Sequence, residues 1–185
     1  MSIATYYTAT SLDGFIADEQ NSLEWLLHQD QDESGPLNYK EFFARIGAMV
    51  MGSTTYEWVL DHENGAWPYE LPTWVMTTRD LPKVGDVRFA RGDVLSVHDQ
   101  MTAAAAAGKD LWVVGGGDLA GQFADAGLLD EIIVYLAPVT LGGGAPLLPR
   151  SLDLRLEEVA RNKAFACARY SVVGTPTHAS GSGKD

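Results

Sequence analysis

Leu111-Trp112-Val113-Val114-Gly115-Gly116-Gly117-Asp118-Leu119 runs four apolar residues straight into three glycines and then into a helix-forming stretch. A short all-apolar run bounded by glycine reads as a strand buried on both faces, the pattern of a mainly parallel sheet flanked by helices. Glycines at its end allow close approach to the backbone. The helix predicted over Asp118–Ala126 would aim its unpaired N–H groups and positive dipole end at the same point. One glycine would serve a bare turn; three point to a phosphate-bearing ligand. Asp118 is expected to turn aside and cap the helix, because a carboxylate facing a diphosphate repels it. The spacing is neither G-x-G-x-x-G nor a loop ending in Gly-Lys-Ser/Thr, so a Rossmann fingerprint and a P-loop are both excluded.

The same strand, turn and helix unit precedes it. Ala48–Met51 predicts a strand ending at Gly52, and Ser53-Thr54-Thr55 supplies cap-type residues for a helix through Leu60. Upstream, Tyr39, Phe42, Phe43 and Ile46 recur at helical spacing, so Tyr39–Ile46 is a helix that Pro36 can open. Residues 3–9 form a first strand, interrupted by Asp13-Gly14 before Phe15-Ile16-Ala17, and His28–Gly35 reads as a surface loop. Strands follow at Thr73–Thr77 and Val87–Ala90, then a helix over Val97–Ala107 carrying five consecutive alanines. Glu131–Leu136 and Phe165–Val173, with Leu154–Val159 pairing nearby, are late consecutive strands and imply an antiparallel edge. The fold class is α/β, one domain over residues 1–174, with a flexible tail over 175–185.

Composition narrows the function. A charge of −12 with 13 scattered Lys and Arg speaks against nucleic acid, so any anionic ligand must be held locally by backbone amides, hydroxyls or a single Arg. No apolar run reaches membrane-span length and the N-terminus lacks a signal-peptide pattern, so a cytoplasmic location with no membrane partner is expected. Cys167 is a lone thiol in an apolar segment, and the four histidines are scattered without H-E-x-x-H, so no metal site is expected.

Further segments carry chemistry. Small residues end strand one at Thr8-Ala9-Thr10, and the loop Ser11–Ala17 is placed to cover a flat ring; Asp13 fits either an Asp-Gly turn or a proton donor. Thr77-Thr78-Arg79 closes another strand, with Arg suited to bidentate phosphate contact. Thr140–Pro146 is glycine-rich but leads into no helix, so it reads as a strand-linking turn.

In this order, Ser11–Ala17, Val50–Glu57, Val113–Phe123 and Leu129–Gly144 resemble the dihydrofolate reductase-like superfamily, in particular the branch holding the riboflavin-pathway pyrimidine reductase domain. The resemblance spans residues 3–173. It implies a three-layer α/β/α fold around a mixed, mostly parallel eight-stranded sheet, a homodimer, and NADPH lying across the strand ends. By position, Ala9 and Ile16 would flank the nicotinamide. Gly52, Ser53, Thr54 and Thr55 would meet diphosphate and ribose, Thr77, Thr78 and Arg79 the adenosine side, and Gly115, Gly116, Gly117, Asp118 and Leu119 the diphosphate and nicotinamide. Trp25, Tyr39, Phe43 and Trp67 are the candidates for the substrate side, and Asp13 for the catalytic proton. Dihydrofolate reductases carry an acidic residue on the helix after strand one, but ungapped counting from Gly52 reaches Pro36; relatives often place Arg after Met-Gly, where this chain has Ser53. The implied activity is NADPH-dependent hydride transfer to a pteridine- or pyrimidine-like small molecule. The alternatives are reduction of a phosphoribosylamino-uracil and a protein that binds NADPH or a small molecule without turnover.

Overall fold

The structure is a computed structural model and describes residues 2–176. The helices α2 (Tyr39–Ala44) and α3 (Ser53–His62) and the strands β3 (Ile46–Gly52), β4 (Thr73–Met76) and β5 (Val87–Ala90) build one half of the sheet. The other half comes from β1 (Ala4–Thr10), β6 (Asp110–Gly115), β7 (Glu131–Leu136), β9 (Asp153–Asn162) and β10 (Phe165–Gly174), in the overall order β5-β4-β3-β6-β1-β7-β10-β9. Pairing is parallel from β5 through β7 and antiparallel at β7–β10 and β10–β9, so the antiparallel edge lies where the consecutive late strands predict it.

Strand alternation divides the core between two faces. Tyr6, Val50, Trp74, Leu111 and Val113 pack under α4 (Val94–Ala104) and α5 (Gly117–Asp125). Tyr7, Met49, Met51, Val75, Trp112 and Val114 point the other way, together with Phe42, Phe43 and Tyr56 from α2 and α3. The short α1 (Glu24–Leu27) covers Tyr135 and Cys167 on that second side through Trp25 and Leu26. Cys167 is buried, as its apolar neighbours require.

Several boundaries differ from expectation. Helix α2 ends at Ala44 and Ile46 already belongs to β3, because its side chain is buried in the sheet. Its N-cap is Asn38, which accepts from the Glu41 N–H, and not the position at Pro36. Helix α4 starts at Val94, since Asp93 accepts from the Leu95 N–H, and it stops at Ala104 despite the alanines that follow. Ala105 is extended and packs against Gly47, which turns the chain towards β6; tertiary contact here overrides helix propensity.

An element not foreseen is β8 (Ala145–Pro146), which pairs antiparallel with β2 (Phe15–Ala17) into a second small sheet at one end of the large one. No described helix is long and apolar enough to cross a membrane, and no metal-holding group of His, Cys, Asp and Glu occurs among the described residues. The tail expected over 175–185 lies outside the described residues from position 177 onward.

Candidate functional site

The parallel strands β1, β3, β4 and β6 all end on one side of the molecule, the side on which open α/β sheets form their ligand crevices. A cleft of about 560 Å³ runs there, and its walls include Gly52–Thr55 at the start of α3 and Gly115–Leu119 at the start of α5. Both helices are led by an extended glycine, Gly52 and Gly116, and neither has a side-chain cap. Helices α2 and α4, which do not open on this cleft, are capped by Asn38 and Asp93. Two helix N-termini with free N–H groups therefore converge on one space, with the hydroxyls of Ser53, Thr54 and Thr55 beside them.

The glycines have distinct tasks. Pairing between β3 and β6 slips at Val114, so that Met51 faces Gly115 and the glycine run bulges at the strand end. The Gly115–Gly116 peptide is cis. A Cβ on Gly116 would meet only Ile16 Cδ1, at 3.8 Å, so this glycine leaves room in the cleft. A Cβ on Gly117 would fall 2.2 Å from the Pro146 carbonyl oxygen, so this one admits the β8 backbone.

A second hollow continues the cleft past Ser53 and Met76 and is bordered by Thr77, Thr78, Arg79, Arg91 and Gly92. The Thr77 hydroxyl accepts from the Arg79 N–H at 3.0 Å and shapes the turn. The Arg79 guanidinium makes a two-pronged contact with Glu57, at 3.1 and 2.6 Å, and is half exposed. Arg91 is held only loosely, 3.6 Å from Asp80, and follows β5 as Arg79 follows β4.

Of the cofactor residues expected from sequence, Ile16, Gly52–Thr55 and Gly115–Leu119 border the main cleft, and Thr77–Arg79 border its continuation. Ala9 does not border it: its neighbour Thr8 does, while Ala9 packs with Tyr7 and Trp25 around Tyr135. Asp118 does not cap α5. It sits in the first turn, where Gln122 and then Arg150 hydrogen-bond its carboxylate and hold its pKa below the ordinary value. That pairing offsets its charge at the cleft mouth.

Asp13, the candidate for the catalytic proton, is tied into a turn as a hydrogen-bond acceptor. Its carboxylate accepts from Ser11 Oγ at 2.6 Å and from the N–H groups of Leu141 and Gly142 at 3.0 and 2.7 Å. The Ser11 hydrogen bond, followed by that from Leu141, lowers its pKa to about 2, so it is ionised at neutral pH. It fastens the loop before β2 to the loop before β8.

The four aromatic candidates also need correction. Trp25 packs against the Tyr135 and Cys167 cluster, with its Nε1–H donating to the Ser22 carbonyl. Tyr39 and Phe43 stack on one another at 5.4 Å, and Phe43 and Trp67 lie against Tyr69 at 6.0 and 5.2 Å. They form a layer behind the cleft, and the aromatic residues on its wall are Trp58 and Tyr69. Trp58 stacks on His62 four residues along α3, and Tyr69 lies in an irregular stretch that offers no periodicity to read.

This is the α/β architecture of the dihydrofolate reductase-like class, with its cleft at the carboxyl ends of the parallel strands. Within that class the chain belongs to the RibD C-terminal domain family, whose family model matches residues 59–167. It is 30% identical to the uncharacterized protein YwjB of Bacillus subtilis, over 82% of this chain and 87% of that one. It is also 30% identical to the riboflavin biosynthesis protein RibD of Mycobacterium tuberculosis, over 75% of this chain but only 43% of that protein. Among solved structures, a protein from Shewanella sp. PV-4 named for riboflavin biosynthesis superimposes with a TM-score of 0.78, at 26% identity, over 92% of this chain and 98% of that one. A dihydrofolate reductase from Enterococcus faecalis, solved in complex with NADP(H), shares the fold with a TM-score of 0.56 at 15% identity, over 92% of this chain and 96% of that one.

Proposed function

We propose that this protein is a nicotinamide-dependent reductase that binds NADPH along the cleft and delivers a hydride to a pteridine- or pyrimidine-like small molecule. The observation that carries the reading is the convergence of two uncapped, glycine-led helix N-termini on one cleft. Such a pair of dipoles and free N–H groups suits a diphosphate, and in a chain of net charge −12 it offers what the global field does not. Gly116 leaves the approach open, Ile16 from β2 and Pro146 from β8 border it, and the second hollow offers two arginines suited to an adenosine phosphate.

A bound dihydronicotinamide supplies the hydride. The glycine bulge and Ile16 would orient the ring and the small β2–β8 sheet would shield it from water, while Asp13 fastens the two loops together. Membership of the RibD C-terminal domain family favours a second reading, reduction of a phosphoribosylamino-uracil. A homodimer, implied by the family resemblance, is part of the proposal, to be measured by sedimentation.

The test is NADPH and NADH titration followed by oxidation assays against pteridines, pyrimidines and quinones. Binding with turnover supports the reductase; tight NADPH binding with no turnover would favour a binding protein; failure of both nucleotides to bind overturns the proposal.

A further inference from the structure

The cleft straddles the end of the sheet. One half lies on the α5 side and leads to the second hollow. The other lies on the α3 side and is walled by Asn21, Leu23, Thr55, Trp58, Tyr69 and Val114. This half holds two rings, two apolar side chains, an amide and a hydroxyl. Its one titratable group among the described residues is Tyr69.

The arginines around the cleft are engaged elsewhere, and the basic ring against this wall, His62, is stacked on Trp58. Arg79 is paired with Glu57, and Arg150 with Asp118 and Asp125. Arg45 and Arg169 border a separate hollow with Glu41 and both contact Glu131. No Lys or Arg among the described residues lines this half, so a phosphate or carboxylate entering it would be desolvated without a fixed cationic partner, at a cost that a neutral ring does not incur.

The tyrosines differ in a telling way. The hydroxyls of Tyr6, Tyr7, Tyr56 and Tyr135 donate to the carbonyls of Leu147, Leu37, Pro82 and Pro36. The Tyr69 hydroxyl donates to no carbonyl among the described residues; it lies beside the hydroxyl of Tyr39, with the Glu63 carboxylate also near it. Burial pushes the Tyr69 pKa up, which keeps the proton in place at neutral pH. Tyr39 is partly exposed and connects that hydroxyl with solvent.

We propose that the α3 half of the cleft takes an uncharged, flat carbonyl compound, with Tyr69 donating its hydroxyl hydrogen to the carbonyl oxygen. This rests on the nicotinamide reading above. The hydride and its electron pair add to the carbonyl carbon, the C=O π pair moves to oxygen, and that oxygen takes the Tyr69 proton. The phenolate regains a proton from water by way of Tyr39, and the dihydronicotinamide leaves as the oxidised nicotinamide.

Binding alone tests the idea, using two probes of similar shape, 4-nitrobenzaldehyde and 4-carboxybenzaldehyde, titrated by tryptophan quenching. The neutral probe is expected to bind at least about tenfold tighter than the anion. Tyr69→Phe should weaken it by about three- to tenfold, the loss of one hydrogen bond, while leaving NADPH affinity and melting temperature unchanged. Equal or tighter binding of the carboxylate, or undiminished binding by Tyr69→Phe, overturns the inference. NADPH affinity is read separately from nicotinamide fluorescence, so loss of that signal with aldehyde binding intact would count against the cofactor reading alone.

Discussion

A single methyl group separates two neighbouring glycines. Gly117→Ala would push against the carbonyl oxygens of Pro146 and Leu147, at 2.2 and 2.4 Å, and is expected to destabilise the fold by about 1–3 kcal/mol in thermal or denaturant unfolding. Gly116→Val has space in the protein and should melt close to the parent, yet lose NADPH in a fluorescence titration, because its side chain fills the cleft. At the far end, Glu57→Gln should release Arg79 and strengthen the preference for NADPH over NADH, whereas Arg79→Ala should weaken NADPH more than NADH. Equal changes for the two nucleotides would remove Arg79 from the phosphate site. Asp13 makes a pH prediction. Its folded pKa of about 2 lies below its unfolded value, so its fastening is complete above about pH 4 and is lost as pH falls towards 2. The melting-temperature gap between the parent and Asp13→Asn should therefore close over that range. The sequence placed Ala9 at the site where Thr8 stands, since strand alternation decides the face and a one-residue error reverses it.

The elements legible in advance are those whose local chemistry and tertiary role agree. Strand β6 with its glycines, and Gly52 with three hydroxyl residues, read correctly because a buried apolar run and a helix start each leave strong marks. The alanine run misled because helix propensity is weak beside the turn that Ala105 makes against Gly47. Strand β8 was illegible: two residues carry no period, and only pairing with β2 gives them meaning. Tyr69 was hidden for a related reason, as its irregular segment presents a ring by tertiary contact alone. Arg91 could have been found, since it closes β5 just as Arg79 follows β4. Helix α4 offers a test of capping: Asp93→Ala removes the acceptor for the Leu95 N–H and should cost about 1 kcal/mol in denaturant unfolding.

At the scale of the molecule, the order of strands was expected only as a mostly parallel sheet, and the central place of β1 between β6 and β7 comes from long-range pairing that no local pattern announces. A ligand that binds only this assembled arrangement stabilises it by about 2.7 kcal/mol at a hundredfold excess over its dissociation constant, which calorimetry with NADPH should register as a raised melting temperature. The small sheet of β2 and β8 has a consequence for how the protein is made. Its halves are fastened through Asp13 and Leu141, 128 residues apart, and through Gly14 to Leu147. On the ribosome the pocket is thus among the last features to come into being, and nascent chains stalled short of Leu147 should gain no protease protection from NADPH while released chains do. Under the proposed function, nucleotide would favour finished molecules over unfinished ones, a form of quality control written into the chain's connectivity.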